Sequence, residues 1–498
     1  MGSTRLQNVR VWVGEGCWRD DLCMIDGVVA AGGAGGRKCA DLDCSDRVAT
    51  PGLVDAHVHL VMGAQSRRGI DLSKVRDRDG FQSTLATAHE CLPEGEWLIA
   101  QGWNETQWAD TSGPPTMDWL EAMGDRPTVC WRCDLHAALV NQAVLDRLDL
   151  PADAPGRGTG LLVEAEAWTH MVPAIPQPPV EAQQQAVVEA STWLNSLGIT
   201  AVRTMEYRDV LESVLDAVAH NVSLRMTVTL LDRTLPLDVA WLAARPADKP
   251  QVIGCKAFLD GTLGSRTARM AAPYLDCGDC GQWIELAHDD TDAAWCEAVV
   301  AAGLAPSIHA IGDSAVARAM GLLAGIPDTV RPTIEHAQIV PEGLLDALSR
   351  VRLSVQPTHR AEDSAAGVSS IGAARVARML PLRSLHNAGA RFAFGTDWPV
   401  TSPDPMRTLA AAITGRTLCG KAMHAGETID NETALHAMTL GAAEATMLPT
   451  ADGLVHGAPA DVVIWDQDPF TWTGDDPAPR PWAVFVAGRR VYALADVR

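Results

Sequence analysis

Tyrosine and phenylalanine are scarce in this sequence, three and six among 498 residues, and basic charge is in deficit. Forty Lys and Arg stand against 62 Asp and Glu, a formal net charge of −22. A surface that acidic repels phosphate backbones and anionic headgroups within a Debye length, so nucleic acid and membrane surfaces are excluded as expected partners. A long apolar run is also missing. The most apolar window, 294–312, is broken by Glu297, Pro306 and His309, and the opening MGSTRLQN has no basic stretch leading into an apolar one. Neither a membrane span nor secretion is expected. There is no internal repeat and no low-complexity tract.

Twelve cysteines are present, which in a long chain without a secretory signal read as reduced thiols of a cytoplasmic protein. Two C-x-x-C pairs occur, Cys130/Cys133 and Cys277/Cys280, in distant segments. A zinc knob would have to assemble across that distance, whereas small buried cysteine is ordinary.

At roughly 150 residues per domain, the length admits about three units or one large barrel with additions. Apolar runs closed by polar or glycine-rich turns recur at 49–60, 198–205, 224–231, 252–261, 305–313, 332–338, 352–359 and 391–400. Amphipathic stretches lie between them, among them 181–197, 209–220, 291–302 and 341–350. Eight β-then-α units with near-continuous apolar strands predict an α/β fold, a (β/α)8 TIM-type barrel over 49–450. The interval 61–180 breaks the rhythm and holds six of the sixteen tryptophans, at 97, 103, 108, 119, 131 and 168. It reads as an insertion after the first strand, lying over the barrel mouth. Short strand candidates at 9–13, 22–29, 461–465 and 483–492 predict a small β-sandwich domain built from both termini, 1–48 and 451–498.

Histidine carries the chemical signal. His57 and His59 are spaced by two in VDAHVHL, which on a strand puts both imidazoles on one face. Barrel enzymes keep their chemistry at the carboxyl ends of the strands. Alone, H-x-H is equally a structural pair. Lys256 on the fourth run is a costly charge to bury unless paired, neutralised or modified. His309 ends the fifth run, His336 follows Glu335 on the sixth, and Asp397 ends the eighth. Singly each has an ordinary role: an ion pair for Lys256, core hydrogen bonds for the histidines, a turn cap for Asp397. Gathered at one end of one barrel, they are the N/O donor set of a catalytic Zn, Mn or Fe site.

The segments TPGLVDAHVHL, KAFLDGTLGSRTA (256–268), HAIGDSA (309–315), IEHAQ (334–338), SVQPTH (354–359) and FGTDWPV (394–400), in that order, resemble the amidohydrolase superfamily. They are most similar to its family 3, which includes N-substituted formamide deformylases. The ends IDGVVAAGG (25–33), APADVVIWD and VFVAGRRVY resemble that family's split β-sandwich. The resemblance implies that His57, His59 and Asp397 hold one divalent metal. It also implies that Lys256, carboxylated by CO2, bridges to a second held by His309 and His336, with zinc the expected ion, one or two per chain. A lysine among cations in an apolar barrel has its ammonium form disfavoured, which leaves an amine that CO2 can modify. Asp397 is the implied base, taking a proton from metal-activated water and passing it to the leaving nitrogen.

His136, Arg266, His359 and Trp398 lie in or beside these segments and are candidate substrate contacts. Their ordinary readings are a hydrogen-bonded side chain for each histidine, an ion pair for Arg266 and packing under the rim for Trp398. Asp313 reads as an orienting partner of His309 or a helix cap. Two departures stand out: Leu135 where relatives have glycine, and Thr204-Met205-Glu206 where relatives end the second strand on an acid. The expected function is metal-dependent hydrolysis of an amide-type C–N bond in a small, hydrophobic N-acyl or N-formyl amine. The same site also suits a lactone, carbamate or other ester, and a non-catalytic ligand-binding role on this fold is the third alternative. A small-molecule substrate is the expected partner, and a homodimer is compatible with the sequence.

Overall fold

The structure, a computed structural model, describes residues 3–14, 16–30, 39–108 and 113–494. Residues 31–33, the end of the IDGVVAAGG segment, lie outside the described residues.

Eight parallel strands pair in chain order: β1 (Leu53–Val58), β2 (Ile199–Glu206), β3 (Arg225–Leu230), β4 (Gln251–Phe258), β5 (Ala305–Ala310), β6 (Thr333–His336), β7 (Arg352–Val355) and β8 (Arg391–Phe394). The two ends of this order, β1 and β8, meet through a bridge between Val58 and Trp398, which nearly closes the sheet into a TIM-type barrel. Every residue of β1, β2, β5, β6 and β7 is buried, as continuous apolar runs covered on both faces require. Helices cover the outside. The helix Val180–Ser196 turns Ala186, Val187, Ala190 and Leu194 onto the barrel at helical spacing, and the expected 181–197 stretch is that element.

Several runs outlast their strands. His359 lies in the first turn of the helix Pro357–Ser370, and His59 and Asp397 lie just past β1 and β8. These residues sit on the rim, where the backbone leaves the ladder to form loops. The expected helix at 341–350 shrinks to Leu345–Leu348, because Pro341 and the left-handed Gly343 (φ 77°) break its start.

Residues 49–51 do not belong to the barrel. They end a long strand, Ala40–Pro51, in which Ala49, Thr50 and Pro51 pair with Ile464, Val463 and Val462. The two chain ends thus join one eight-stranded sheet. Its path is Arg489–Ala493, Pro481–Val486, Val462–Trp465, Ala40–Pro51, Thr4–Gly14, Leu22–Ile25 and Val28–Val29, with Cys17–Arg19 alongside Thr4–Gly14. All these strands are hydrogen-bonded into one sheet rather than two separate ones, and it has a core of its own around Leu6, Val11, Trp482 and Phe485.

Between β1 and β2 the chain builds a third, five-stranded sheet ordered Leu161–Val163, Ala137–Val140, Thr128–Arg132, Leu98–Trp103 and Ile70–Asp71. Strand alternation sends Cys130 to a core with Phe81, Trp103, Trp108 and Trp119, and Val129 and Trp131 to another with Leu135 and Met171. All twelve cysteines are free thiols. Among the described residues no helix is long and apolar enough to cross a membrane.

Gly52 is the joint between the terminal sheet and β1, and a Cβ there would lie 2.1 Å from Thr200 Oγ1 on β2. Overpacking of this kind costs roughly 1–3 kcal/mol. Gly52→Ala is therefore expected to lower the denaturation midpoint, measured by circular dichroism in urea.

Candidate active site at the carboxyl end of the barrel

The site is assembled where β8 closes on β1. Asp55 and His57 share the inner face of β1. Buried Asp55 accepts hydrogen bonds from Thr396 N (2.9 Å), Thr396 Oγ1 (2.6 Å) and His57 N (3.2 Å). One residue on, Asp397 N donates to His57 O (2.7 Å) and His59 N to Trp398 O (2.9 Å). The approach is so close that a Cβ on Gly395 would stand 2.6 Å from His57 Cβ. Asp397 follows in the left-handed region at φ 58°, uncommon for a residue with a side chain and typical of strained functional positions. Its Oδ1 lies 3.3 Å from His57 Nε2 and 3.5 Å from His59 Nε2.

His336 ends β6, also left-handed (φ 70°), and donates from Nδ1 to Gln356 Oε1 at 2.8 Å. Ligand atoms of His57, His336 and Asp397 lie within 4.8 Å of one another, the one such cluster of metal-binding side chains among the described residues. His309 on β5 packs its ring 4.5 Å from that of His336 and donates from Nε2 to Gly261 O at 3.1 Å. Lys256 on β4 is 1% exposed, with Nζ 3.0 Å from His57 Nε2 and 4.7 Å from the Phe258 ring centre. Burial draws its pKa down to about 8, against the pull of Asp397 and Glu335.

The donor set fits a divalent cation. Buried His309 Nδ1, His336 Nε2 and His359 Nε2 have no hydrogen-bond partner in the protein, an expense that a metal would offset. Burial, reinforced by Lys256 for His309 and by His309 for His336, holds both imidazoles well below their ordinary pKa. Neutral imidazole is the form that ligates. Burial works to raise the Asp397 carboxyl, but His57 and His59 outweigh it and keep it well below the usual carboxylate range.

The surroundings were only partly anticipated. Glu335 accepts from His57 Nδ1 (2.6 Å), Arg203 Nη2 (2.5 Å) and Ser307 Oγ (2.6 Å). Burial raises its carboxyl, yet Arg203 and His57 overcome that and hold it far down. Charged residues inside otherwise apolar strand runs were the available signal for both Glu335 and Arg203. Asp260 accepts from the backbone of Arg269, Ile311 and Gly312, and burial pushes it up to about 7.

The amidohydrolase family profile matches residues 42–492. The chain belongs to the amidohydrolase family. It is 27% identical to the protein LONG AFTER FAR-RED 3 of Arabidopsis thaliana, over 91% of this chain and 83% of that one. It is 20% identical to a protein named N-substituted formamide deformylase from Arthrobacter pascens, over 88% and 86%. An uncharacterized metal-dependent hydrolase from Pyrococcus horikoshii OT3 shares the fold, with TM-score 0.76 and 24% identity over 95% of this chain and 99% of that one. As a family member the chain is a hydrolase acting on C–N bonds.

The amidohydrolase site opens into a cavity of about 1340 Å³ walled jointly by the barrel and by the segment between β1 and β2. Trp97, Trp131 and Trp168 of that segment line it, while Trp103, Trp108 and Trp119 pack in a separate core. His359 lines it, stacked on His336 at 5.7 Å, with Nε2 3.7 Å from Asp397 Oδ2. His136 lines it too, paired through Nδ1 with Glu164 at 2.9 Å and 5.6 Å from the His309 ring. Arg266 reaches the wall, but its guanidinium is held by Asp276 (2.7 Å) and the carbonyls of Leu263 and Gly264. Trp398 does not line the cavity: it lies beneath the rim against Gly63 and Trp193, because closure onto β1 turns it into the core. Nor does Asp313 orient His309. It receives Ala271 N at the start of the helix Asp313–Leu323, and the carboxylate near His309 is Asp260, at 3.7 Å.

Of the two expected departures only Leu135 stands, because β2 runs on to end on the acid Glu206; both residues line the cavity. Leu135 holds the left-handed backbone (φ 61°) that glycine adopts freely. Glu206 accepts from Val61 N on the cavity wall, and burial pushes it to about 7.

Burial disfavours a charged His136, but Glu164 outweighs it and raises the pKa to about 9. A His whose folded pKa exceeds its unfolded value stabilises below about 6.5 and loses that contribution as pH rises through about 9. The wild-type thermal midpoint is expected to fall between these pH values, with a ceiling of roughly 3 kcal/mol, and His136→Gln to show a flatter profile.

Proposed function

We propose that this amidohydrolase cleaves the C–N bond of a small, uncharged N-acyl or N-formyl amine with an apolar or aromatic group. The carrying observation is the convergence of His57, His336 and Asp397 within 4.8 Å on a cavity that Trp97, Trp131 and Trp168 also line. These three side chains would hold a divalent ion, with zinc suiting the N/O set and His59, His309 and Lys256 at its margin. Bound there, the cation supplies Lewis acidity to a substrate carbonyl and makes water several pKa units more acidic.

The chain's own groups supply the remainder. Asp397, the carboxylate between His57 and His59, takes the proton from the attacking water and delivers it to the leaving nitrogen. Lys256, buried and partly deprotonated, adds CO2 at Nζ with loss of one proton, and the resulting carbamate offers two oxygen donors. The tryptophans exclude water and pack against the apolar part of the substrate.

Charge narrows the substrate class. Each arginine on the cavity wall is already engaged: Arg68 with Glu189, Arg132 with Glu105 and Asp134, Arg233 with Glu285, and Arg266 with Asp276. Their charge is thus offset, with Arg233 Nη1 the one buried guanidinium nitrogen on the wall without a hydrogen-bond partner among the described residues, and this balance favours neutral amines over N-acyl amino acids. The formyl option draws support from the curated relative named as a formamide deformylase.

Asp397→Asn, assayed in excess divalent metal so that the weakened site stays filled, is expected to cut kcat/KM by about a thousandfold or more, as general-base loss does. Near-wild-type turnover by the metal-loaded variant would refute the assigned role. In a panel of N-formyl and N-acyl compounds, benzyl and alkyl amines are expected to outperform both formamide and N-formyl amino acids. The reverse ranking would sink the substrate class.

A further inference from the structure

Inside the barrel lie two fully enclosed unlike charges, Glu335 (0% exposed) on β6 and Arg203 (2%) on β2. Desolvating such a pair costs about as much as its attraction returns, so it contributes little net stability. Its geometry bears instead on His57. Glu335 Oε2 receives His57 Nδ1 at 2.6 Å, while Oε1 receives Arg203 Nη2 at 2.5 Å and Ser307 Oγ at 2.6 Å. Arg203 Nε also donates to Ala56 O at 2.7 Å, gripping the backbone next to His57. A carboxylate only accepts, so His57 must carry its proton on Nδ1, leaving the Nε2 lone pair on the side of Lys256 and Asp397. His336 is held by the same nitrogen, but by the neutral amide of Gln356.

We propose that Glu335, clamped by Arg203 and Ser307, is a positioning residue that fixes the tautomer and ring plane of His57 and makes it a stronger donor to the metal than His336. The inference rests on the metal reading above. A charged acceptor on the far nitrogen raises the ligand's basicity and removes the entropy of orienting it, whereas the amide does only the second.

Cobalt(II) titration of the metal-stripped full-length protein, with a competing chelator, tests this. Glu335→Gln is expected to weaken binding roughly 10- to 100-fold and Gln356→Leu by less than about tenfold. A Glu335→Gln protein that melts earlier but binds cobalt within about twofold of wild type has lost only structure, and that result overturns the proposal; so does an equal or larger loss in Gln356→Leu. Should Glu335→Gln fail to fold, Ser307→Ala keeps both charges and strips one bond from the carboxylate. It is expected to weaken cobalt about two- to fivefold, and an unchanged Kd overturns the proposal. A wild-type chain that takes up no cobalt would overturn the metal reading itself, whereas wild-type uptake with an insensitive Glu335→Gln overturns this proposal alone.

Discussion

The seam between the last barrel strand and the first is the constraint on which the site depends. A parallel barrel closes only if its end strands meet, and here the meeting is made by Gly395 to Trp398 lying along Asp55 to His59. Asp55 is spent on it, its carboxylate taking three hydrogen bonds in a place where burial pushes its pKa to about 6. The backbone that completes the seam also turns Asp397 into its left-handed conformation, between His57 and His59. Closure and chemistry thus draw on the same few residues, and strain at Asp397 is tolerated because the surrounding bonds overdetermine it.

Around that seam, polarity is arranged in layers. The barrel walls are apolar, yet the lumen holds Arg203, Glu335 and Ser307 in a closed hydrogen-bond network ending on His57. Above it, buried imidazole nitrogens are left unpartnered, and these are the atoms free to ligate. Higher still, arginines on the cavity wall are neutralised one by one by carboxylates, and tryptophans from the segment between β1 and β2 supply the apolar surface. That segment helps to enclose the cavity, with His136 and the three tryptophans on its wall.

How much of this was legible follows from the distance over which each signal acts. Strand periodicity and H-x-H are local, so the eight barrel strands and the pair His57/His59 could be read directly, as could the candidate positions Lys256, His309, His336 and Asp397. Strand limits on the rim were harder. His359 and Asp397 continue an apolar run in sequence but leave the ladder in space, and 49–51 belong to another sheet because Gly52 turns the chain beside Thr200. For Trp398 and Arg266, adjacency to a motif does not say which way a side chain faces: Trp398 packs into the core, and Arg266 reaches the cavity wall already paired with Asp276. Glu335 stood next to His336 in plain view, yet its partner is His57, on a strand far away in sequence.

The amino-acid sequence by itself determined the barrel class, the net negative charge and the residue types of the site, because composition, period and spacing are carried by neighbours along the chain. Tertiary structure alone decided which buried imidazole nitrogens lack a partner, that Glu335 accepts from His57, that three of six tryptophans face the cavity, and that each cavity arginine has a carboxylate partner. Most of these depend on contacts between segments far apart along the chain, such as Glu335 with His57, and no local pattern encodes those.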